Sequence, residues 1–122
     1  MSEVQPLSAK ILYRIMLNVM EESGIYEIPM DLETVLPTHS LKERLEIAQN
    51  GLSELYRRQW LEVWQADWPD INEHILPDQE VLATLAKDQS WTMPTNQVST
   101  YFRVIPTDFG IQAWKNGGWN GA

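Results

Sequence analysis

The chain has 122 residues, 43% of them hydrophobic, and a formal net charge of −8 from nine basic residues against seventeen acidic ones. That length and balance suit one globular domain that buries a core without disulfide or metal support, and they exclude a disordered chain. No cysteine is present, which excludes disulfide frameworks, thiolate zinc sites and cysteine nucleophiles, while the acidity opposes attraction to phosphate backbones.

In chain order, residues 1–6 are polar and end at Pro6, an expected frayed start. A first helix is predicted from Leu7 or Ser8 to about Ser23. Ile11, Leu12, Ile15, Met16, Val19 and Met20 give it a broad apolar face, and Gly24 stands where a left-handed residue is expected to stop it. The apolar run from Ile11 to Met20 is interrupted by Arg14 and Asn18. It lacks the length of a membrane span and the cleavage site of a signal peptide, so a cytoplasmic, membrane-free chain is expected. Ile25 to Met30 reads as a short strand closed by Pro29, followed by a brief helix that Asp31 caps and Pro37 ends.

The stretch Ser40 to Ala66 organises the rest. Ser40 and Glu43 form a capping box, and Leu41, Leu45, Ala48, Leu52 and Leu55 recur on one helical stripe. Beyond Arg57 and Arg58 the pattern changes to a period of two, so a strand is predicted from Trp60 to Ala66. Trp60 and Trp64 share one side of it and Leu61 and Val63 the other. An inserted segment follows, with loops at Trp68, Pro69, Asp70 and Pro77. Its helix starts at Pro77 and packs through Val81, Leu82 and Leu85. A second strand, Ser99 to Ile105, pairs antiparallel with the first. Thr107 then caps a last helix containing Phe109, Ile111, Ala113 and Trp114, and a glycine-rich mobile tail is expected over 116–122. The fold class is α+β in one domain: four to five helices with a small antiparallel sheet.

This order of elements resembles the winged helix-turn-helix fold. LSELYRRQWLEVW is similar to the passage from recognition helix into the first wing strand. YFRVIPTDFGIQAW is similar to the other wing strand and the Thr-x-x-Gly helix start seen in bacterial members of the MarR and PadR kind. The resemblance implies DNA binding through the organising helix, with Lys42, Arg44, Arg57 and Arg58 as the contacts. The chain departs from that pattern in three places. Gln59 stands where the family has glycine, the helix also carries Glu43, Glu46 and Glu54, and residues 60–100 are acidic where a wing is basic.

Catalytic motifs are not present: the chain has no phosphate loop, no paired-histidine metal pattern and no nucleophile elbow. No cofactor is expected. The tryptophans are more informative, because Trp60, Trp64, Trp68 and Trp91 of the six border the acidic insertion. Aromatic anchors among acids suit a basic protein partner. The expected function is therefore a non-enzymatic acidic binding module of the immunity or antitoxin kind, monomeric or homodimeric, with Trp64, Asp67, Trp68, Asp70 and Glu73 as its partner-binding residues. The alternative is a winged-helix regulator.

Overall fold

The computed structural model describes residues 8–95, 97 and 99–117. Five α-helices and a three-stranded antiparallel sheet make an α+β domain, with strand order β2-β1-β3. The expected tail lies outside the described residues from 118 onward. None of the described helices is long and apolar enough to cross a membrane.

Helix α1 (Ala9–Met20) begins where the Ser8 side chain accepts from the Ile11 amide at 3.2 Å, and it buries Leu12, Ile15, Met16 and Val19. Its stop corrects one expectation. Glu22, not Gly24, is the left-handed residue, with φ 56°, while Gly24 has φ −63°. The Glu22 amide donates to Val19 O and the Ser23 amide to Asn18 O, the paired bonds that close a helix end around a left-handed residue. The expected strand Ile25 to Met30 is also corrected. Ile25–Glu27 is a 3-10 turn running into helix α2 (Ile28–Asp31) and a further 3-10 turn, Leu32–Thr34. Pro29 sits in the first turn of α2, where a missing donor costs nothing, and Glu27 returns its carboxylate to the Gly24 amide at 3.0 Å. Gly24, just before this stretch, bridges to the sheet opposite Arg103.

Asp31 stands at the cap position of the Leu32–Thr34 turn, but its side chain makes no capping bond there. It ends α2 and takes a bidentate pair from Arg14 at 2.8 and 2.7 Å, plus a bond from the buried Asn18 side chain at 2.9 Å. Arg14 holds the Asp31 carboxyl below the ordinary aspartate range against the opposing effect of burial, and Asn18 adds to the lowering.

Helix α3 (Leu41–Arg57) starts with the expected capping box. The Glu43 amide donates to Ser40 Oγ at 3.1 Å, and the Ser40 amide to Glu43 Oε1 at 2.8 Å. It ends as α1 does. Gln59 takes φ 65°, its amide donates to Tyr56 O at 2.8 Å, and the Trp60 amide donates to Leu55 O at 3.0 Å. The turn is made without a glycine, with a glutamine held in a conformation that side chains disfavour. Strand β1 (Leu61–Asp67) follows at once.

The insertion contains a strand that its residues did not announce. Strand β2 (Ile71–Ile75) pairs with β1 through Trp64–Ile75, Gln65–His74 and Asp67–Ile71, with a register shift between Gln65 and Asp67. All five of its residues are exposed, so INEHI shows no hydrophobic alternation to read. The other side of β2 is a sheet edge among the described residues. Helix α4 (Asp78–Ala86) has Pro77 as its cap, and its Val81 and Leu85 join Leu61 and Val63 in the core. The indole of the buried Trp91 closes the segment onto Leu85 O at 2.9 Å. The insertion therefore shares in the core; Trp60 is buried and Trp64 half-buried.

Strand β3 (Thr100–Pro106) pairs with β1 from Leu61–Pro106 to Asp67–Thr100. Its outer edge is taken by the end of α1, where Val104 donates to Ser23 O at 3.1 Å. Helix α5 (Asp108–Lys115) is tied to the α3–β1 joint. The Thr107 amide donates to Trp60 O at 3.0 Å and its hydroxyl to Gln59 O at 2.7 Å, while the same oxygen accepts from the Gly110 amide at 2.9 Å. Gly110 passes so close that a Cβ there would overlap the Trp60 backbone carbonyl.

Three outcomes follow for equilibrium urea unfolding. Gln59→Gly raises stability by about 1 kcal/mol, because glycine adopts the left-handed conformation without the side chain's penalty. Gly110→Ala lowers it by about 2 kcal/mol, because the Trp60 carbonyl is backbone and cannot rotate away. The Asp31 contribution is full above the ordinary aspartate pKa and is lost as pH falls from there through the lowered folded value. Asp31→Asn therefore costs on the order of 1–2 kcal/mol at neutral pH, and its deficit narrows on acidification.

Candidate functional site

The β1–β2 hairpin carries the residues that the sequence singles out. Its tip is built by the Asp70 amide donating to Asp67 O at 2.8 Å, by a cis Trp68–Pro69 peptide, and by left-handed Asp70 and Asn72. The Trp68 amide donates to Ser99 O at 2.8 Å, which ties the tip to the segment entering β3. The Trp68 ring is 46% exposed. Its edge meets Tyr101 with ring centroids 6.2 Å apart, and Tyr101 in turn meets Tyr26 edge-on at 6.1 Å.

These rings open onto a recess of about 180 Å³ whose other walls are Glu22, Gly24, Glu27, Asp70 and Arg103. Asp70 accepts the Tyr101 hydroxyl, and Glu27 accepts the Gly24 amide. Burial, followed by the negative charges of Glu27 and Asp70, raises the Tyr26 phenol above its ordinary range. Arg103 is the recess's one cation, and it is already engaged. Its Nη1 lies 2.6 Å from Glu73, its Nη2 3.8 Å from Glu22, and its Nε donates to Glu22 O at 3.3 Å.

Of the expected partner-binding residues, Trp68 and Asp70 line this recess, and Glu73 acts on it through Arg103. Asp67 is turned to internal work, accepting from Thr100 Oγ1 at 3.1 Å and Asn72 Nδ2 at 3.2 Å. Trp64 lies opposite Arg103 in the sheet and donates to Glu62 at 3.2 Å. Tyr26, Tyr101, Glu22 and Glu27 were not signalled by the sequence, because they come from the end of α1, the following turn and β3, and meet only through the tertiary fold.

Two further cavities adjoin the core. One, about 190 Å³, is an apolar groove between α2, the start of α3 and the Trp91 turn; its lining includes Tyr26, Met30, Leu41, Trp91 and Met93, with Asp88 as its only acid. The larger, about 430 Å³, lies between the end of α3, the sheet and the start of α4. There the Tyr56 hydroxyl donates to Asp78 at 2.7 Å, and burial, with that bond second, pushes the phenol up to about 12. Among the described residues no three or more His, Asp or Glu converge at metal-binding range.

The four cations of the DNA-binding alternative do not form one face. Arg44 is buried, donating to His39 O at 2.9 Å and standing 3.7 Å from Glu33. Arg58 pairs with Glu54 at 2.9 Å, and its guanidinium carbon lies 5.6 Å from the centre of the Trp60 ring. Lys42 and Arg57 remain exposed at opposite ends of α3, about 22 Å apart along its axis at the usual helical rise. No family model, no curated protein and no solved structure matches the chain.

Proposed function

We propose that this chain acts by binding a basic protein partner, without catalysis of its own, as an immunity- or antitoxin-like neutraliser. The observation that carries the reading is the half-exposed Trp68 beside a recess walled by Glu22, Glu27 and Asp70, whose one cation is internally paired. An aromatic anchor that is solvent-exposed yet held edge-on by a buried tyrosine is pre-ordered, so little freedom is lost when a partner covers it. The surrounding acids, on a chain of net charge −8, draw a basic surface toward it.

The winged-helix arrangement is part of the same proposal. Its support is the order α1, α2, α3, β1, β3, the Gly24–Arg103 bridge that places the end of α1 beside β3, and the Thr107 cap of α5. The regulator alternative draws less support, since Arg44 and Arg58 are already spent on Glu33, His39, Glu54 and Trp60.

The test combines Asp67→Asn, Asp70→Asn and Glu73→Gln in one variant, which removes charge while keeping side-chain shape. Affinity capture of a basic protein by the parent chain weakens at least about tenfold in this variant, with a flatter dependence on salt. Unchanged capture and unchanged salt dependence would sink the acidic-site reading. A salt-sensitive shift of DNA with no protein captured would favour the regulator instead.

A further inference from the structure

The aromatic recess and the apolar groove share one wall, Tyr26. We propose that together they form a single bipartite surface for a basic partner's segment, with an apolar side chain in the groove and a neighbouring lysine or arginine in the recess. The inference rests on the binding role proposed above and specifies the chemistry of what is bound.

Both halves are suited to one large side chain each, at about 190 and 180 Å³. The groove gathers three of the chain's exposed large hydrophobics: Met30 at 55%, Leu41 at 58% and Met93 at 52% exposure. Two of these are methionines, whose unbranched, polarisable side chains adapt to an incoming apolar group. No lysine or arginine lines the groove, and Asp88 stands at it. On the far side of Tyr26, the half-exposed Trp68 ring offers a cation its negative π density. Glu22 and Glu73 already meet Arg103, so Glu27 and Asp70 remain as the uncompensated charge. A cation beside an apolar anchor is the one pairing that satisfies both halves. A neutral apolar segment would leave these two carboxylates without a counter-charge, and a polyanion would be repelled by them.

The probe is a blocked peptide of alternating leucine and arginine, with two controls in which serine replaces either all arginines or all leucines. Binding is followed by tryptophan fluorescence and by amide shifts. The alternating peptide binds saturably with shifts at Tyr26, Met30 and Trp68, and each control binds at least about tenfold more weakly. Met30→Ser, at an exposed position outside the core, weakens the leucine-containing peptides and leaves the leucine-free one unaffected. Asp70→Asn, which still accepts the Tyr101 hydroxyl, weakens the arginine-containing peptides and leaves the arginine-free one unaffected. Equal binding of all three peptides, insensitivity to both substitutions, shifts centred elsewhere or no saturable binding would overturn the bipartite surface. If a native basic partner is captured and Met30→Ser and Asp70→Asn both leave its capture intact, the surface is wrong while the binding role stands. If no partner is captured yet the peptides behave as described, the surface stands and the role falls.

Discussion

The turn from α3 into β1 is the constraint on which the fold depends. Arg58 ends the helix, Gln59 goes left-handed, and Trp60 is directed back over Leu55, so that Leu61 and Val63 enter a core already floored by Leu52 and Leu55. The carbonyls of Gln59 and Trp60, just past the helix end, are then taken by Thr107, which is how α5 is fastened to this joint in the middle of the chain. One joint thus fixes a helix, a strand and a second helix with few backbone groups left over. The close passage of Gly110 over Trp60 belongs to the same joint, and explains why a glycine is tolerated inside a helix there.

The elements written as strong local patterns were legible from the residues. The capping box at Ser40, the stripe of α3 from Leu45 to Leu55 (Leu41, expected to join it, is exposed), the alternation of β1 and β3 and the Thr107 cap all rest on short-range physics. Where the residues misled, the deciding interaction was distant or the side chain was exposed. Strand β2 earns its pairing from the backbone of β1 and buries none of its residues, so it carries no periodicity. The apolar run Ile25 to Ile28 looks extended, yet each of its core residues is satisfied by helical turns that bring Asp31 to Arg14 and Asn18. Glu22 and Gln59 broke the rule that a glycine marks a left-handed stop, because the paired hydrogen bonds and the packing behind them outweigh the local penalty. The site was half-readable for a related reason. Trp68 and Asp70 announce themselves as a loop, whereas Tyr26 and Tyr101 read as ordinary hydrophobic positions until the fold sets them edge to edge.

Charge in this molecule is organised rather than simply abundant. Four of the five arginines, at positions 14, 44, 58 and 103, are tied to acids within the chain. These pairs act as braces between elements: Arg14 joins α1 to α2, and Arg103 joins β3 to β2 and to the end of α1. The cations with the shape to fork onto a phosphate are therefore mostly consumed in holding the fold, and the acids outnumber them at the surface.

The open side of β2 has a bearing on how the molecule behaves when crowded. A free strand edge is a row of unspent donors and acceptors that another chain can copy, and repeated copying is how sheets grow into fibrils. Here the row is only five residues long; Asn72, with φ 56°, breaks its pleat, and Glu73 and His74 stand in its middle. A neighbour finds too short and too bent a template to extend in register. The chain thus keeps a solvent-facing strand, together with exposed Ile71 and Ile75, without offering the flat edge on which self-assembly propagates.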